Sequence, residues 1–213
     1  MAKSDRCGKR KKRSEFSKRS FNLGYYVIVT DTDATEKKYL EGLRNSLPES
    51  MQNHIAFKFY KSKTEDLIQT CEEANMDAQY RQPWIVFDRD RVPNFDEIIK
   101  NAEIKGIRVG WSNPCIEIWF DCYFGKMHPY LESTQCCSRF SETFLKEVGK
   151  EYRKADNHIY ELLTKYGDEK NAISIAEKNL NDYQKSFVEK PSKMCPATTL
   201  HYLIREIKSK SES

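Results

Sequence analysis

Four short apolar runs, each parted from the next by a stretch with helical periodicity, constrain this chain more than any other feature. They lie at residues 25–30 (YYVIVT), 54–60 (HIAFKFY), 84–87 (WIVF) and 106–111 (GIRVGW), each short enough for a buried strand. Residues 34–46, 64–76 and 95–102 fill the gaps as expected helices. Strands alternating with helices imply βαβ units and a mostly parallel sheet. The expected fold is therefore α/β, a Rossmann-like sheet of about four strands flanked by helices. Beyond Trp111 the pattern turns helical over residues 114–124, 140–152, 158–166, 169–187 and 197–207, with a loop expected at 125–137. Pro114 suits a first helical turn. The expected division is a basic N-terminal arm over 1–22, an α/β core over 23–125, and a helical C-terminal extension packed on that core over 126–213.

A length of 213 residues fits one domain with a helical extension, and 12 Tyr and 11 Phe argue against wholesale disorder. No uncharged apolar run approaches the roughly 20 residues of a bilayer span. The charged start of the chain lacks the apolar stretch of a signal peptide. The expectation is a cytoplasmic protein with no membrane partner. Seven cysteines, at positions 7, 71, 115, 122, 136, 137 and 195, are odd in number and irregular in spacing, unlike a disulfide framework. A zinc reading would recruit Cys122, His128, Cys136 and Cys137. No Cys-x-x-Cys pair supports it, and adjacent cysteines are awkward at one tetrahedral centre. Free, partly buried thiols are expected instead.

Charge is unevenly spread. Residues 1–20 carry nine cations, among them Lys9, Arg10, Lys11, Lys12 and Arg13, against Asp5 and Glu15. That is a net +7 in a chain whose total is +4, so the remainder carries about −3. A cationic arm on a mildly acidic body favours contact with a polyanion through counterion release, without reading sequence. A solvated tail that aids solubility accounts for the same residues.

In a parallel α/β sheet, ligands collect beyond the carboxyl ends of the strands. The first expected strand runs into Asp31-Thr32-Asp33, the third into Asp88-Arg89-Asp90-Arg91, and the fourth into Ser112-Asn113 with Glu117 a helical turn later. Neighbouring strands would gather these carboxylates at one edge, where like charges raise one another's pKa unless a cation intervenes. Mg²⁺ or Mn²⁺, with hard oxygen ligands and room for phosphate and water, suits such a cluster and supports phosphodiester cleavage. Asp31, Asp88, Asp90 and Glu36 are the candidate ligands, and Asp31, Asp88, Asp90 and Glu117 the candidate catalytic residues. Lys37, Lys38, Arg89 and Arg91 stand ready for phosphates, as ordinary surface cations also would. Plainer readings exist. Asp33 and Glu36 form a capping-box pattern ahead of the Leu40, Leu43, Leu47 stripe, Asp88 and Asp90 suit a helix cap paired with the neighbouring arginines, and Glu117 suits a buried helix start.

Three blocks of this sequence resemble the RloB-like family: residues 26–40 (YVIVTDTDATEKKYL), residues 84–90 (WIVFDRD) and residues 112–120 (SNPCIEIWF). The likeness continues weakly at Tyr152-Arg153-Lys154 and at Pro196-Ala197-Thr198. It implies a Toprim-like domain with an acid after its first strand and Asp-x-Asp after its third, binding Mg²⁺. It further implies a nuclease acting on RNA (possibly tRNA) or DNA in bacterial anti-phage defence, beside a partner ATPase of the AAA or ABC type. This chain has Asp31-Thr32 where the family usually has Glu-Gly, and Asp121 to Tyr123 where it tends to place a histidine. Asp keeps the charge with a shorter reach, and Thr lacks the tolerance of glycine for positive φ. The alternative is a non-catalytic subunit of the same fold that binds nucleic acid or the partner ATPase. Small-molecule phosphoryl transfer is disfavoured, because no glycine-rich phosphate loop is present. The sequence leaves the oligomeric state open.

Overall fold

Strand β1 (Tyr25–Thr30) sets the architecture, because its inner residues are apolar on both sides. Tyr26 and Ile28 face one layer and Val27 and Val29 the other, and all four are fully buried. Parallel strands with near-continuous apolar runs need helices on both faces. β1 pairs in parallel with β2 (Phe57–Lys61) on one side and with β3 (Arg81–Asp88) on the other, and β3 pairs in parallel with β4 (Arg108–Asn113). The sheet order is β2-β1-β3-β4-β5, with the two-residue β5 (Ala197–Thr198) antiparallel to β4. The computed structural model describes residues 25–31, 34–52, 57–75, 81–90, 92–129 and 132–211. The cations Lys9, Arg10, Lys11, Lys12, Arg13 and Arg91, and the cap expected at Asp33, lie outside the described residues.

The helices are α1 (Thr35–Ser46), α2 (Glu49–Gln52), α3 (Leu67–Asn75), α4 (Phe95–Ile104), α5 (Glu117–Tyr123), α6 (Ser133–Val148), α7 (Ile159–Tyr166), α8 (Glu169–Lys185) and α9 (Leu200–Ser211). On one face of the sheet, Val27, Val29, Ile85 and Phe87 pack with Leu67 of α3 and Phe95, Ile98 and Ile99 of α4. On the other, Tyr26, Ile28, Trp84 and Val86 meet Tyr39, Leu40 and Leu43 of α1, together with Trp119, Phe140, Tyr160 and Leu203 from the helical second half. Each fully buried large side chain contributes about 1.5–3 kcal/mol. The second half of the chain thus supplies one wall of the core. Gly42 permits the close approach of α1 to α7, since a Cβ there would lie 2.5 Å from the Cβ of Tyr160.

Three expectations are corrected. Residues 197–198 form a strand and helix α9 starts only at Leu200, because the threonines bind β4. Thr198 Oγ1 donates to Trp111 O at 3.0 Å, and Thr199 Oγ1 accepts from Trp111 N at 2.9 Å. Helix α6 begins at Ser133, inside the expected loop, and ends at Val148 with left-handed Gly149 as its C-cap. Its buried stripe of Cys136, Phe140, Thr143, Phe144 and Val148 carries helical spacing once Cys136 counts as apolar. Finally, α5 starts at Glu117, so Pro114 precedes the helix; the Asn113–Pro114 peptide is cis.

Candidate functional site

The register of the parallel strands brings the acids to one edge. Thr30 stands opposite Val86 and Asp88 opposite Ser112, so Asp31 and Asp88 emerge from neighbouring strands within about one residue of the same level. Helix α1 follows β1 directly and carries Glu36 in its first turn; α5 follows β4 and carries Glu117 as its first residue. Both side chains are withdrawn from solvent, Glu36 at 5 % and Glu117 at 1 % exposure. Ala34 takes the N-cap position of α1, with no side-chain cap hydrogen bond.

Asp88 is the electrostatic centre of this group. Burial, then the charges of Glu36, Glu117 and Asp31, hold its carboxyl well above the usual carboxylate range. One hydrogen bond works the other way: Ile116 N donates to Asp88 Oδ2 at 3.1 Å. Helix α4, the next along the chain, has Asn94 and neither of the Asp-x-Asp acids at its N-cap position, with no side-chain cap hydrogen bond. Two strand ends and two helix starts thus bring four carboxylates into one another's field, and their hard oxygens are the donor type that a divalent cation takes.

Asp90 sits apart in character. It is exposed, has a φ of 26°, donates its N–H to Pro114 O at 3.0 Å, and accepts from Ser133 Oγ on its Oδ1 at 2.7 Å. Asp is among the residues that tolerate positive φ. Its neighbour Arg89 is half-buried, with its N–H on Ser112 O at 2.8 Å, while Lys37 is half-buried on α1. Among the described residues, the ligand atoms of the four acids Asp31, Glu36, Asp88 and Asp90 do not close into a group of three within 4.8 Å. A cation held by three of these acids at once would therefore require side-chain rotation.

Glu117 has partners that the sequence only hinted at. Tyr152 Oη donates to Glu117 Oε1 at 2.9 Å, and Lys154 Nζ lies 3.8 Å from the same oxygen. Ala155, at φ 58°, donates its N–H to Thr35 Oγ1 at 3.3 Å, which lays residues 152–155 across the starts of α1 and α5. Burial and the Glu117 charge raise the Tyr152 hydroxyl, so it remains a neutral donor. For Lys154, burial acts to lower the pKa, but the charges of Glu117 and Cys137 outweigh it and the net direction is upward. The ammonium is thereby retained beside the acids. In the sequence Tyr152 and Lys154 stand out by the family resemblance alone; Thr35 and Ser133 carry no signal, because their partners are 120 and 43 residues away.

The six described cysteines are all free thiols. The Cys122, His128, Cys136 and Cys137 set is not brought together as metal ligands: Cys122 lies in the main core and donates to Ile118 O at 3.2 Å. Among the described residues no helix is long and apolar enough to cross a membrane.

A family model described as RloB-like protein matches residues 26–207. No curated protein and no solved structure matches the chain.

Proposed function

The chain belongs to the RloB-like protein family, and from the chemistry of its sheet edge we propose that it is a Mg²⁺- or Mn²⁺-dependent nuclease of the Toprim type. The observation that carries this reading is the crowding of Asp31, Glu36 and Glu117 around the half-buried Asp88. Asp31, Asp88, Asp90 and Glu36 would hold the cation, which supplies charge to a scissile phosphate and acidifies a bound water. The chain itself contributes the rest. Glu117 Oε1, oriented by Tyr152, accepts the proton of the attacking water. Lys154, Arg89 and Lys37 bind non-bridging phosphate oxygens, while the basic arm adds sequence-independent affinity for the polyanion.

The resemblance of the sequence blocks to RloB-like proteins supports a role in anti-phage defence with RNA, possibly tRNA, or DNA as target and an ATPase as partner. Purified protein supplied with Mg²⁺ or Mn²⁺ is expected to nick RNA or DNA, and Asp88→Ala and Asp90→Ala to abolish the nicking. Undiminished cleavage by both variants would remove the assignment. Expression with and without the neighbouring ATPase gene, followed by inspection of total RNA and DNA for breaks, identifies the substrate and the dependence on the partner.

One observation favours a second reading. Asp90 is turned to Ser133, an arrangement that suits a non-catalytic subunit which binds nucleic acid or the ATPase through the same fold. Absence of heat on titration with millimolar Mg²⁺ would select this reading.

A further inference from the structure

Beside the acid cluster, two thiols and a carboxylate converge from separate elements. Cys115 lies in the turn before α5, Glu117 opens that helix, and Cys137 comes from the first turns of α6. The two Sγ atoms are 4.0 Å apart, and both lie within 4.8 Å of a Glu117 carboxylate oxygen. A tetrahedral zinc with bonds of roughly 2.3 Å to sulfur and 2.0 Å to oxygen holds its sulfurs about 3.8 Å apart and sulfur from oxygen about 3.5 Å. The three ligand-to-ligand separations therefore exceed those of a metal-bound triangle by no more than about 1.3 Å. A second, independent observation is that this spot already holds a cation. Lys154 Nζ lies 3.8 Å from Glu117 Oε1 on a side chain that is 66 % exposed and so free to swing outward. An open cavity of about 470 Å³, lined by Asp90, Ser133, Thr134, Cys137 and Lys154, leads there from solvent.

We propose that Cys115, Cys137 and Glu117 form a site for a thiophilic divalent cation of the zinc type, taken up in exchange for the Lys154 ammonium, with water as the fourth ligand. Two soft thiolates select zinc or cobalt over magnesium, so this site is chemically distinct from the all-oxygen cluster even though Glu117 borders both. On binding, the two thiols release their protons to solvent and the ammonium moves into the cavity, so the site exchanges one positive charge and two protons for a dication. The claim needs neither substrate nor magnesium, and it stands whether or not the chain cleaves nucleic acid.

Chelator-stripped, phosphine-reduced full-length protein titrated with Co²⁺ provides the test. The expected result is a thiolate-to-cobalt charge-transfer band and tetrahedral d–d absorption saturating at one equivalent, both erased by one equivalent of Zn²⁺. Cys115→Ser and Cys137→Ser should each weaken cobalt uptake at least about 10-fold and diminish the band. Cys195→Ser, at a cysteine outside the three-ligand group, should titrate like the parent, and Lys154→Met should bind more tightly because no ammonium has to leave. Circular dichroism on each serine variant, with Cys115→Ala and Cys137→Ala alongside, separates lost ligation from lost folding. Absence of a charge-transfer band at one equivalent, or a band that survives both serine substitutions in folded protein, would overturn the proposal.

Discussion

Two regions of this molecule bury carboxylates, and they do so in opposite ways. In the helical half, Glu169 opens α8 and accepts from Tyr123 Oη at 2.9 Å and Tyr160 Oη at 3.1 Å on Oε2, while Lys208 pairs with Oε1. Tyr39 extends the chain of hydroxyls, 2.7 Å from Tyr123. Every contact offered to Glu169 is a donor or a cation, the arrangement that makes a withdrawn charge tolerable. At the sheet edge, Asp88 receives one backbone N–H and otherwise faces the charges of Glu36, Glu117 and Asp31. A fold able to satisfy one half-buried acid so fully leaves the other crowded. Glu169 is surrounded by donors, whereas Asp88 is surrounded chiefly by other acids.

The sharpest way to break this contrast is Asp88→Asn, which keeps an acceptor for Ile116 N but removes a charge from the crowd. Divalent-dependent cleavage should fall at least about 100-fold, while metal-free protein should become more stable by about 1 kcal/mol, or 2–4 °C in Tm. Loss of both activity and stability, measured by nicking assay and thermal melt, would mean that Asp88 is merely structural. A buried base provides the next test. His201 on α9 is fully buried, and burial together with the Arg205 charge lowers its pKa from 6.5 to about 4. The folded state refuses a proton that the unfolded chain accepts, so stability is complete above pH 6.5 and declines as pH falls towards 4. The difference in unfolding free energy between the parent and His201→Gln should therefore rise by up to about 3 kcal/mol across that window and be flat above it.

Glu169→Ala should cost about 2 kcal/mol by stranding Lys208 and two phenol hydroxyls, lowering Tm by roughly 4–8 °C without changing the activity of the folded fraction. Equal losses of activity and stability would erase the distinction between the two regions. The smallest effect belongs to Tyr152→Phe, which removes the hydroxyl donated to Glu117. A stability loss of about 1 kcal/mol is expected, together with a fall in kcat larger than any change in KM, checked by denaturant melts and steady-state kinetics.

The parallel sheet and its acidic edge were legible because both follow from local pattern. Apolar runs of strand length mark β1, β3 and β4, and the residues just past such runs must lie at the carboxyl edge. What distinguishes Asp88 from Asp90 was not legible. Two residues apart, they enter different surroundings because the first meets Ile116 N and the second meets Ser133. The Tyr152–Glu117 bond and the Cys115–Cys137 approach were equally invisible, since they join positions 35 and 22 residues apart whose meeting depends on how α6 packs against α5. Strand β5 escaped notice for another reason. A two-residue strand has no periodicity, and the hydroxyls of Thr198 and the following Thr199 add to its backbone pairing with β4.

That short strand also imposes a timetable. Asn113 leads into the turn before Glu117, and its side chain is held by Pro191 O at 3.2 Å while its backbone pairs with Ala197. The edge on which the acids converge is thus fastened by residues translated some eighty positions later. A ribosome-bound chain that has displayed Asp31, Asp88 and Glu117 still lacks the clasp that fixes β4, and closing so long a loop is slow. The carboxyl end of β4 therefore takes its final form only once residues 191–198 have been made and have docked.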